Sequence, residues 1–155
     1  MPRAKKPDDA ELMVADLAAV SSALSFPGSV VGVGLDLISP ERFEKLLGRG
    51  VSLEKIFSPT EIADSGGSSE RLAARWAGKE AVMKALGLGI GQCRMRDIEI
   101  ILVGNAPEVT LYGEAAIAGA AAGVSRVMVS LSHERVAAAF AVAVRADSSV
   151  GVSLA

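Results

Sequence analysis

Apolar and polar positions begin to alternate at Ser29. In the run SVVGVGLDLI, Val31, Val33, Leu35 and Leu37 fall on one face, and Gly32, Gly34 and Asp36 on the other. That period of two predicts a strand over residues 29–38. A short helix over residues 40–47 is expected next, with Pro40 suited to its first turn and Gly48 to its end. Ser58, Pro59 and Glu61 spell a capping box for a further short helix, and Gly66, Gly67, Ser68 and Ser69 a loop and a cap. The clearest helical period covers residues 70–86, with Leu72, Trp76 and Met83 on its buried stripe and Gly87 as its stop. Beyond the glycine loop of residues 87–91, strands are expected over residues 97–103, 108–112 and 126–132, with an alanine-rich helix over residues 113–122. A last strand over residues 136–144 pairs with the 126–132 strand as a hairpin across His133, Glu134 and Arg135. The fold class is α+β: a largely antiparallel sheet with one long helix and short helices.

This domain spans residues 30–145. Residues 1–29 read as an amino-terminal extension, in which Asp8 or Asp9 caps an amphipathic helix bearing Met13, Leu17, Val20 and Leu24, broken by Pro27 and Gly28. Residues 146–155 read as a flexible tail.

Composition narrows the function classes. Of 155 residues, half are hydrophobic and only 4% aromatic, so Val, Ile, Leu and Ala must fill the core. A net charge of −2 gives no global field for nucleic acid, so an anionic ligand has to be met by a local cluster. Cys93 is the one cysteine, which excludes an internal disulfide and suits a reducing compartment. Acidic residues among the first apolar positions spoil a signal peptide, and no stretch reaches the roughly 20 apolar residues of a membrane span. A cytoplasmic protein with no membrane partner is expected.

Two carboxylates stand out. Asp36 sits on a strand face otherwise stripped by glycines, which leave room for a ligand or for another backbone. It either needs a cation or caps the helix that begins near Pro40. Glu80 lies four residues after Trp76 and three before Met83, on or beside the buried stripe. It either pairs with Lys84 at i+4, or with an arginine, or holds a metal. Together the two suit magnesium, which takes one or two protein carboxylates with phosphate oxygens and waters. Arg71, Arg75 and Lys79 form an i, i+4 ridge that is either a solvated face or a phosphate contact. The loop of Gly87, Gly89 and Gly91 follows a helix, unlike dinucleotide-binding or P-loop glycines, and reads as a helix stop or as a phosphate cradle. His133, the one histidine, ends a strand.

These runs resemble a known family. Val33-Gly34-Leu35-Asp36-Leu37, with Arg42 six positions after Asp36, is similar to the first signature of the 4′-phosphopantetheinyl transferases. Arg75-Trp76-Ala77-Gly78-Lys79-Glu80-Ala81-Val82-Met83-Lys84-Ala85 resembles the second. The run from Ile56 to Glu61 resembles the link between them, and Asp97–Ile100, the Pro107 strand and Ser130–Glu134 resemble the later blocks in order. The match spans residues 30–144 and leans to the small holo-acyl-carrier-protein synthase class.

The resemblance implies an enzyme that moves the 4′-phosphopantetheine arm of coenzyme A onto a serine of an apo acyl carrier protein. That protein is either free or a carrier domain of a fatty acid or polyketide synthase, and the activity serves fatty acid biosynthesis. It implies magnesium on Asp36 and Glu80, phosphate contacts from Lys84, Gly87 and Gly89, His133 beside the 3′-phosphate, and Arg42 against the acidic helix of the carrier. Glu80 and Lys84 are then the catalytic pair. Homotrimers with active sites between subunits are implied as well. Two features depart from the family pattern: Asn105-Ala106-Pro107 lacks the usual basic residue, and the extension is longer than usual. A catalytically idle module that holds coenzyme A or a carrier, or an assembly domain built on the amino-terminal helix, is the competing reading.

Overall fold

In the computed structural model, residues 29–145 are described, so the extension and tail expected at the two ends lie outside the described residues. The elements run β1 (Ser29–Ile38), α1 (Pro40–Leu47), α2 (Leu53–Ile56), α3 (Pro59–Ser65), α4 (Ser69–Ala85), a 3₁₀ turn (Met95–Asp97), β2 (Ile98–Val103), β3 (Ala106–Leu111), α5 (Gly113–Ala121), β4 (Arg126–His133) and β5 (Ala137–Arg145). All pairing is antiparallel, but the strands split into a three-stranded sheet ordered β1-β5-β4 and a separate β2-β3 hairpin.

Helix α4 is the axis of the molecule, and both of its broad faces are covered. One side carries Leu72 and Met83, with Trp76 against Phe43 of α1 at a 6.1 Å ring separation. The other is a ribbon of small residues, Ala74, Ala77, Gly78, Ala81 and Ala85, all buried. That ribbon lets the sheet approach to backbone distance. A Cβ at Gly32 would overlap the carbonyl oxygen of Ala85, and one at Gly34 that of Ala81. The glycine face of β1 is therefore bare because a helix backbone fills it, not because a ligand does.

Local signals set the ends. Ser39 caps α1 by accepting from the Arg42 amide at 3.2 Å, so Asp36 is not the cap of that helix. Ser58 and Glu61 form the expected capping box of α3. α4 ends on Leu86 and Gly87, whose φ of 71° admits a left-handed turn. The Leu88 amide then donates to Met83 O at 2.8 Å and the Gly87 amide to Lys84 O at 3.1 Å, a Schellman-type stop.

Candidate active site

The contacts of Gly32 with Ala85 and of Gly34 with Ala81 run β1 back along α4, so Asp36, the next residue on that face, lies beside the helix within reach of Lys84. There the Lys84 ammonium donates to Asp36 Oδ1 and to the Leu35 carbonyl, both at 2.8 Å. Lys84 is half exposed and Asp36 is 19% exposed, so this ion pair lies at a mouth rather than in the core. Lys84 thus answers to Asp36 and not to Glu80. Glu80 is half-buried, and its carboxyl is pushed above the usual carboxylate range by burial first and by the Asp36 charge second, with Lys84 opposing.

Asp36 and Glu80 line one cleft of about 230 Å³ together with Leu37, Ile38, Arg42, Leu46, Trp76 and Ile90. Asp36 and Glu80 offer two hard oxygen donors at a solvent-connected mouth, and a divalent ion between them would relieve their repulsion. Magnesium fits this donor set, since it completes its octahedron with waters and phosphate oxygens. Arg42 projects from the first turn of α1 into the same cleft, and among the described residues its side chain makes no ion pair.

The loop of residues 86–94 reaches the cleft through Ile90. The amide of Gly87 is engaged by Lys84 O, and that of Gly89 by the Gln92 side chain. Ile90 is 96% exposed at the rim of the cleft. Cys93 is partly covered, and burial with the charges of Asp97 and Glu80 raises its thiol pKa, as suits an unreactive thiol.

The structure breaks up the expected basic ridge. Arg71 is exposed, but Arg75 is 4% exposed and pairs with Asp64 at 3.0 Å, and Lys79 is fully buried. Neither a solvated face nor a phosphate ladder results. Arg71 and Arg75 instead flank a second cleft of about 520 Å³ that also takes in Asn105, Pro107 and His133. The two clefts share no residue. Glu80 follows Arg71 by nine positions, roughly half a turn out of phase at about 100° per residue, so the clefts open on opposite flanks of α4. Sequence spacing missed this division. The i, i+4 count that groups Arg71 with Arg75 already separates both from Glu80, and that was the available signal.

Comparison with known proteins places these features. Residues 32–141 match the 4′-phosphopantetheinyl transferase superfamily. A holo-[acyl-carrier-protein] synthase of Moorella thermoacetica is 43% identical over 107 residues, 64% of this chain and 82% of the relative. One from Desulforudis audaxviator is 42% identical over 122 residues, covering 74% of this chain and 93% of the relative. The crystal structure of Helicobacter pylori holo-[acyl-carrier-protein] synthase in complex with coenzyme A superposes with a TM-score of 0.64 at 34% identity, over 72% of this chain and 98% of that one.

Proposed function

The chain belongs to the 4′-phosphopantetheinyl transferase superfamily, and on that premise we propose how its two clefts carry out the transfer. It is a holo-acyl-carrier-protein synthase, which moves the 4′-phosphopantetheine group of coenzyme A to a serine of an apo acyl carrier protein. The observation that carries the site assignment is the meeting of Asp36, Glu80 and Lys84 at one mouth beside Arg42.

The carrier serine hydroxyl attacks the β-phosphorus of coenzyme A. The bond from that phosphorus to the bridging oxygen breaks, and adenosine 3′,5′-bisphosphate leaves. Positioning and charge neutralisation supply most of the rate in such transfers. Magnesium held by Asp36 and Glu80 would neutralise the pyrophosphate. The serine proton is assigned to Glu80 or to a water held beside it. Lys84 offers a point charge to a phosphate oxygen. The left-handed turns at Gly87 and Gly91 curve the loop on either side of Gly89, which is assigned with Gly87 to the phosphates, and Arg42 is assigned to the acidic face of the carrier.

His133 is assigned, with Arg71 alongside, to the 3′-phosphate of the nucleotide. That cleft lies across α4 from Glu80, which supports a coenzyme A molecule held between clefts of different copies. A homotrimer with sites between subunits provides this arrangement, as a closed ring repeats one heterologous contact. A free carrier of cytoplasmic fatty acid synthesis, or a carrier domain of a larger synthase, is the partner. Adenosine 3′,5′-bisphosphate should appear only when coenzyme A, magnesium and apo carrier are all present. Its release without carrier would remove the transferase reading, and no release in any mixture would favour an idle binding module.

A further inference from the structure

Lys79 is fully buried and so is its partner Glu61, with Nζ to Oε2 at 2.8 Å. The ammonium also donates to the carbonyls of Ile56 at 3.0 Å, Met95 at 3.1 Å and Ile98, and it lies 5.2 Å from the centre of the Phe57 ring. Glu61 in turn accepts from the Ser58 amide at 2.8 Å and the Ile100 amide at 2.9 Å. One ion pair thus joins α2, the start of α3, the 3₁₀ turn and β2 to a single position of α4.

Burying two charges is costly, and well-packed apolar residues often replace such pairs without loss of stability. Stability alone is therefore a weak account of this one. Its place in the chain supplies another. Lys79 immediately precedes Glu80, and the two side chains leave α4 about 100° apart. Fixing Lys79 inward fixes the rotation of α4 and, with it, the direction of Glu80. On the sheet side of the helix, the small-residue ribbon offers no side chain long enough to do this. The Met95 carbonyl, held by the same ammonium, lies just past the loop of residues 86–94, whose Ile90 rims the Glu80 cleft.

We propose that the buried Lys79–Glu61 pair is a positioning device for the transfer reaction, setting Glu80 and the end of the glycine loop against Asp36 without touching substrate. This rests on the assignment of Glu80 above. It also gives a physical reason why the run from Ile56 to Glu61 and the Lys79-Glu80 run occur together, since they meet in this pair.

The test compares K79M, E61Q and the double variant K79M/E61Q with V127A, a core truncation on β4 at a buried residue outside both clefts. Hydrogen–deuterium exchange of the unliganded proteins is read beside steady-state kinetics, at a temperature where circular dichroism shows each to be folded. The double variant leaves no unpaired buried charge, so it is the one most certain to fold. Expected are faster exchange over residues 80–97 with β1, β4 and β5 unchanged, a kcat lowered about 10-fold or more, and a carrier KM within about twofold of wild type. V127A should show none of the local exchange change. A folded double variant with wild-type kcat, or with exchange no more altered over residues 80–97 than in V127A, overturns the proposal. If Glu80→Ala itself stays active while the exchange change appears, the Glu80 assignment has failed and the tie has not.

Discussion

Lys84 Nζ sits 2.8 Å from Asp36 Oδ1, across 48 residues of sequence. The contact exists because Gly32 and Gly34 let β1 rest on the α4 backbone, against Ala85 and Ala81 in turn, so the strand runs back along the helix and Asp36 falls within reach of Lys84, whose side chain leans toward the helix amino terminus. Two anonymous-looking glycines therefore set the geometry of a charged site.

Gly34→Ala tests this directly. Its Cβ would overlap the Ala81 carbonyl oxygen, and backbone cannot rotate away as a side chain can. Overpacking of this kind costs about 1–3 kcal/mol or more. Urea unfolding should show a clear loss of stability together with reduced transfer by the folded fraction. Wild-type stability would mean that strand and helix are not in backbone contact.

Asp36→Ala and Glu80→Ala should each leave the fold intact and lower the rate at least ~100-fold, as loss of a metal ligand does. Rates above a tenth of wild type in saturating magnesium would contradict the metal assignment.

Most of the secondary structure is legible in the sequence, because its signals are local. The strand of residues 29–38 and the helix of residues 40–47 come out at their observed ends, and the Ser58–Glu61 capping box was readable as such. The four-residue helix Leu53–Ile56 is too short to show a period and was missed. In the sequence Lys79 falls on the basic ridge, because a single helix pattern gives only the angle of a residue. Its burial depends on Glu61, Ile56 and Met95, which come from elsewhere in the chain. The same limit hid the split into two sheets and the second buried face of α4, where alanine and glycine carry little hydropathy signal. Asp36 and Glu80 stand out in the sequence because carboxylates at apolar or glycine-lined positions are anomalous without any partner being known, and the structure brings them to one cleft.

Arg42→Glu should raise the KM for the carrier, chiefly through slower association at low salt, and leave that for coenzyme A unchanged. Arg42 makes no ion pair of its own among the described residues, so stability should hardly move. Unchanged constants for both substrates would place carrier recognition elsewhere.

A site shared between copies predicts complementation. Glu80→Ala and His133→Ala proteins, each impaired alone, should regain part of the activity when their subunits are exchanged by mild unfolding and refolding together. Light scattering should return a trimer for each. A mixture no more active than its components, or a monomer at micromolar concentration, would contradict the arrangement across α4.

On the assignment proposed above, this chain loads a carrier serine through the Asp36–Glu80 cleft. Intact-mass spectrometry of an apo acyl carrier protein, incubated with coenzyme A, magnesium and the enzyme, tests it most directly. The carrier should become heavier by one phosphopantetheine group, with the addition mapped to a single serine, and should stay unmodified over the same interval when Glu80→Ala replaces the wild type. A carrier of unaltered mass with the wild-type protein, or equal loading by Glu80→Ala, would contradict it.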